Sequence, residues 1–255
     1  MSTTSPADSL VELAARKQLP HHQYTDPATV RWITANRPVL SDGPPPRLRA
    51  TSQRLLSRSA IPAGWLAEEK CLDSLHGIRH AMRTAALAAL LAESAGLSED
   101  DTATLVLAAA VHDCRRLHDK DDRGHGARAA IWLTDQADTV WNHFGLVATP
   151  SRIATAATAV RLHDVPYDAF SEDDQADHAR AEVICDLLKA ADALDRYRLP
   201  KLSWWPDPVQ VRSDAFKALR TTAVELVIRS ETAWLAGASS AEAALVGLAD
   251  VGLTG

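Results

Sequence analysis

A chain of 255 residues has room for one large domain or two small ones, and 46% hydrophobic against 24% charged residues is the balance of an ordinary globular protein. Its formal net charge of −6 argues against a generic nucleic-acid binder, which would carry a basic footprint. Cys71, Cys114 and Cys185 are odd in number and widely spaced with no C-x-x-C pair, which argues against a disulfide framework and for a reducing compartment. No apolar run reaches transmembrane length, and the first residues lack the basic-then-apolar order of a signal peptide. The expectation is a cytoplasmic protein with no membrane partner. The residues carry no signal of oligomeric state.

Alanine is abundant, aromatic residues make up only 5%, and strand-type runs of Val, Ile, Thr and Tyr are nearly absent, so the composition favours an all-α fold. In chain order, residues 1–8 are Ser/Thr-rich with Pro6 and read as mobile, and 10–18 and 29–36 read as short helices. His21-His22 follows Pro20 in a polar segment and reads as a surface pair. SDGPPP at 41–46 is a break. Residues 47–59 carry four arginines and read as a basic helix, either a solvated face or a cover for an anionic ligand. The compact part is expected to begin near Trp65, which divides the chain into an extension at 1–64, a helical core at 65–199 and further helices at 200–255 packing on it.

Within 71–94, Ile78, Met82, Ala85 and Ala89 keep the helical spacing, and Gly96 ends the helix. Ser98 before Asp100 and Asp101 makes an N-cap with acid in the first turn. The helix that follows, 102–113, has no polar face from Leu105 to Val111 and therefore belongs in the interior. It ends in His112-Asp113, and a carboxylate there needs a partner. Residues 115–126 read as a charged loop, with His125 between two glycines ahead of a helix at 127–136. A helix at 150–163 ends before Pro166, 171–177 reads as an acidic loop, and 179–197 as a helix whose Ile184, Leu188 and Asp192 share one stripe. An irregular crossing at 199–208 leads to helices at 209–236 and 239–248.

His80, His112, Asp113, His125, His163 and Asp192 each fall on a core face, a helix end or a glycine-flanked turn. A lone His on an apolar face is usually a satisfied core residue. Four imidazoles and two carboxylates from helices of one bundle, however, are the N/O ligand set of a transition metal. One ion uses about four such groups, so six suggest two ions bridged by a carboxylate. Three His-Asp pairs compete for the central role. His118-Asp119 lies among Lys120, Asp121 and Asp122 and reads as solvated. His163-Asp164 offers only its His to an apolar side, and only His112-Asp113 follows a helix with no wet face. His76 could stand in for His80, which is preferred because it lies inside the apolar-periodic stretch. His143 and His178 read as surface residues. Arg116 reads as a salt bridge to Asp119 or Asp121, and Asp195 as a partner for a ligating imidazole. Trp132, Trp141, Trp204 and Trp205 could line a pocket for a ring, although core or lid packing suits each.

His80, then His112-Asp113, then Asp192 in A-D-A-L-D resembles the H…HD…D signature of the HD superfamily of metal-dependent phosphohydrolases, over residues 75–198. His125 in HGARAA and His163 in AVRLHD resemble its six-ligand, two-metal branch, and Arg116 stands where many members have Lys. The resemblance implies an HD-domain helical bundle. In it His80, His112, Asp113 and Asp192 hold one ion, Asp113 bridges, and His125 and His163 hold the second. The implied cofactors are two divalent transition metals (Fe, Mn, Co or Ni, with Fe favoured). The implied partner is a small phosphorylated, nucleotide-like molecule cleaved by a hydroxide held between the ions, with Asp113 and Arg116 as catalytic residues and Arg116 and Arg196 binding substrate. Two alternatives use the same ligands: a mixed-valent di-iron oxygenase of the same superfamily, and a non-catalytic ligand-binding protein with a structural metal.

Overall fold

The computed structural model describes residues 8–38 and 46–254 and contains helices, with no strand among the described residues. The Ser/Thr-rich start and the SDGPPP break lie outside the described residues, apart from Asp8 and Pro46. The helices are α1 Leu10–Ala15, α2 Pro27–Ala35, α3 Ala50–Leu56, α4 Ile78–Ser94, α5 Glu99–Val111, α6 His125–Asp135, α7 Ala137–Phe144, α8 Pro150–Leu162, α9 Glu172–Asp195, α10 Phe216–Leu235 and α11 Ser240–Asp250. Short 3-10 turns join several of them. No helix among the described residues is long and apolar enough to cross a membrane.

Helices α4 and α5 form the centre. In α4, every residue from Ile78 to Ala92 is buried, and its alanines let α5 and α9 approach closely. In α5, Leu105 to Val111 are at most 1% exposed, as a helix with no wet face requires. Each of its Leu and Val side chains contributes roughly 1.5–3 kcal/mol by burial. Ser98 caps α5, and Glu99, Asp100 and Asp101 face the positive end of its dipole. Helix α8 packs on α5, α6 and α9, while α10 and α11 pair with each other and lie on α4. One apolar core includes Ile33 of α2, Leu56 of α3, Leu226 of α10 and Leu248 of α11, so the flanking helices share the core of the central ones.

Two expectations are corrected, and one helix is added. Residues 171–177 are not an acidic loop. Ser171 and Asp174 form a capping box that opens α9, Arg161 of α8 pairs with Asp174 and Asp177, and the helical dihedrals break only at Ala181. Residues 209–215 do not join the next helix, because α10 begins at Phe216. Helix α7 was not foreseen, although Ala137, Val140, Trp141 and Phe144 keep helical spacing and are all buried.

Candidate metal centre

The buried helices bring all six expected groups to one place. His80 enters from the first turn of α4. His112 and Asp113 end α5, His163 ends α8, and Asp192 lies near the end of α9. His125 is the first residue of α6, after Gly124, which turns the chain at φ 76°. Gly126 lets this helix start press against the end of α8, since a Cβ there would lie 2.7 Å from the Val160 carbonyl and 3.0 Å from His163 Nδ1.

Two donor sets share Asp113. In the first, His80 Nε2 and His112 Nε2 are 3.0 Å apart. Asp113 Oδ2 lies 3.5 and 3.8 Å from them, and Asp192 Oδ1 3.4 and 3.8 Å. In the second, His125 Nε2 and His163 Nε2 are 3.0 Å apart, with Asp113 Oδ1 at 2.8 and 3.4 Å. Donors bound to one ion at about 2.1 Å lie roughly 3.0–3.5 Å from one another; the His80–His112 and His125–His163 pairs meet that spacing, and the carboxylate separations, 2.8–3.8 Å, lie close to it.

The protons give the stronger test. His112 Nδ1 faces the Ala109 carbonyl at 2.7 Å, His125 Nδ1 the Asp122 carbonyl at 2.7 Å and His163 Nδ1 the Val160 carbonyl at 2.6 Å. A carbonyl only accepts, so each Nδ1 carries a hydrogen, and each ring turns its Nε2 toward the centre. His80 Nδ1 donates to Asp195 Oδ2 at 2.8 Å and is held the same way. Lone pairs 3.0 Å apart repel unless a cation or proton lies between them. Burial pushes the His112 imidazole down to about 3, so that ring is neutral near pH 7. Burial would raise the Asp113 carboxyl, yet Arg116, His112 and His125 hold it well below the usual range. Asp113 Oδ1 is nevertheless buried with no partner in hydrogen-bonding geometry. Burial lowers His125, but Asp113 more than offsets this and raises it, so a proton and a cation compete for the same Nε2. The buried imidazoles and carboxylates could hold a transition-metal ion.

Comparison of the chain with protein-family models, with curated proteins and with solved structures finds no match.

The surrounding residues fall differently from several expectations. Asp195 accepts a hydrogen bond from His80 Nδ1. Arg116 pairs with neither Asp119 nor Asp121. It is 8% exposed, donates to the His118 and Lys120 carbonyls, and brings Nη1 to 3.1 Å from His125 Nε2 and 3.6 Å from Asp113 Oδ1. Arg196 is exposed and donates to the Trp204 carbonyl, whereas Arg198 is the buried neighbour, with Nη1 3.4 Å from Asp195 Oδ2. Asp119 is not solvated: it accepts from the Gln23 amide, Ser74 Oγ and His76 Nδ1. His76 is thereby occupied, and burial pushes it down to about 3. His178 is not a surface residue either but a buried partner of Asp186 at 2.8 Å, and His143 is half-buried against Trp65. Trp141 is core, and Trp132, Trp204 and Trp205 are half-buried.

Sequence reasoning passed over Asp164, whose Oδ2 is 3.2 Å from His125 Nδ1, and Lys189, whose Nζ donates to the His163 and Val165 carbonyls at the end of α8. It also missed Arg83, which lies one turn from His80 in an apolar run, the position of a charge with an internal partner.

Proposed function

We propose that this protein is a two-metal phosphohydrolase acting on a phosphoester or phosphoanhydride of a small, nucleotide-like molecule, with iron favoured and manganese, cobalt or nickel able to replace it. The observation that supports it best is Asp113, one of whose oxygens faces the His80 and His112 Nε2 atoms and the other those of His125 and His163. Two bound ions supply a water of lowered pKa and offset charge on phosphoryl oxygens, the main needs of phosphoryl transfer. The chain's own residues supply the positioning. Asp113 fixes both donor sets relative to one another, and the Nδ1 partners hold the four rings in one tautomer. The Arg116 guanidinium stands at the second set, where it can grip a phosphoryl oxygen. The Asp192 and Asp164 side chains are 26% and 18% exposed, more than the imidazoles beside them. The order His80, His112-Asp113, Asp192 and its resemblance to the HD superfamily support the same reading.

A mixed-valent di-iron oxygenase is the second reading, favoured by four imidazoles among six ligands. One panel separates the two. Protein loaded with Mn, Co, Ni or Fe is incubated without oxygen with nucleotides and phosphoesters, and phosphate release is measured. Turnover there supports the hydrolase. Product that requires both iron and oxygen, with a mixed-valent EPR signal, replaces it by the oxygenase. Metal uptake that raises stability without any turnover leaves a structural metal.

A further inference from the structure

Five charged side chains lie behind the candidate centre, each at most 2% exposed: Arg79 and Arg83 of α4, Asp195 at the end of α9, Arg198 just after it, and Glu231 of α10. Desolvating so many charges is costly, and apolar residues of similar volume would join the same helices with less penalty. Their bonds lead to one candidate ligand. His80 Nδ1 donates to Asp195 Oδ2 at 2.8 Å, and Arg83 donates to both Asp195 oxygens at 2.6 and 3.0 Å. Arg83 Nη1 then donates to Ser230 Oγ at 2.9 Å and Glu231 Oε1 at 2.7 Å. Arg79 donates to Glu231 at 3.1 Å and to Ser240 Oγ of α11 at 2.7 Å. Helices α10 and α11 supply no candidate ligand, yet they are wired to His80.

Three guanidinium groups face two carboxylates, and Arg83 is shared between Asp195 and Glu231. Without Glu231 the whole charge of Arg83 falls on Asp195. Asp195 then draws less on the His80 Nδ1 hydrogen, and Nε2 becomes a poorer donor. We propose that Glu231 is a positioning residue for His80, acting through Arg83 and Asp195, so that α10 sets the affinity of one ion site and not of the other. The inference rests on the two-metal reading.

The test is a Mn²⁺ titration, followed by calorimetry and by EPR of the free ion, on full-length protein. A His163→Ala background leaves the His80 side alone, and a His80→Ala background leaves the His125 side. Glu231→Gln is expected to weaken Mn²⁺ binding on the order of tenfold in the first background and to leave the second unchanged. An Arg79→Met, Glu231→Gln double variant restores the net charge but leaves Arg83 unanchored, so the loss is expected to persist. Where Glu231→Gln alone does not fold, this charge-balanced variant carries the test. Equal affinity with and without Glu231, an equal loss in both backgrounds, or full recovery in the double variant would each overturn the proposal. A wild-type protein that takes up no Mn²⁺ would instead remove the two-metal reading, before any substitution is made.

Discussion

Gly126→Ala perturbs the second donor set without replacing any of its candidate ligands. The new Cβ would lie 2.7 Å from the Val160 carbonyl, 2.7 Å from Asp164 Oδ1 and 3.0 Å from His163 Nδ1, where ordinary contact begins near 3.4 Å. The Asp164 side chain can turn away, but the carbonyl belongs to α8. The first turn of α6 must therefore retreat by about 0.7 Å, the difference between 3.4 and 2.7 Å, and His125 moves with it. The 3.0 Å separation of His125 and His163 then widens beyond the spacing of neighbouring ligands on one ion. Overpacking of this kind costs about 1–3 kcal/mol of stability. The lost alignment is expected to lower metal affinity at this set by roughly 10- to 100-fold, while the set built on His80, His112 and Asp192 keeps its ion. Thermal melts of metal-free protein read the first effect, and Mn²⁺ titration the second. A Gly126→Ala protein that binds two ions as tightly as wild type would refute the close-approach reasoning.

Other substitutions and conditions test the remaining parts. Metal at about 100 times its Kd should stabilise the wild type by about 2.7 kcal/mol for each ion bound, and Asp113→Asn should abolish that shift in melting temperature because it removes the shared carboxylate. Arg116→Met should retain both ions yet lower kcat/KM on a phosphorylated substrate on the order of a hundredfold, with Lys restoring part of it; Arg196→Ala, on an exposed residue bonded to the Trp204 carbonyl, should change neither. The pH profile of metal-free protein follows from His76 and His112. Burial lowers both to about 3, so below their ordinary 6.5 the unfolded chain binds protons that the folded one refuses. Stability should fall by up to about 1.4 kcal/mol per pH unit for each of them as pH drops from 6.5 toward 3. His125, raised above 6.5, acts in the opposite sense, and only between 6.5 and its own value. Urea titrations at pH 7, 6, 5 and 4 measure the slope, and a flat profile would contradict the neutral burial of His76 and His112.

Much of this arrangement was legible in the chain because its strongest signals are local. A run from Leu105 to Val111 with no wet face can only be interior, and a His-Asp pair closing it must be served from elsewhere. The six candidate ligands follow from helix faces, helix ends and a glycine-flanked turn. Local composition misled where the deciding contact is remote. Asp119 sits among charged neighbours, yet the Gln23 amide arrives from 96 residues away to bury it. The acidic start of α9 resembles a loop until its capping serine and Arg161 of α8 are considered together. Glu231 gave no signal at all, because its partner Arg83 lies 148 residues back.

Anomalous diffraction at the absorption edge of the bound metal, on crystals of protein purified without oxygen or chelator, tests the proposed two-ion centre most directly. Two peaks flanking the Asp113 carboxylate are expected, one against His80, His112 and Asp192 and the other against His125 and His163. A map from metal-saturated crystals with no peak at Asp113, or with peaks only elsewhere on the molecule, would contradict it.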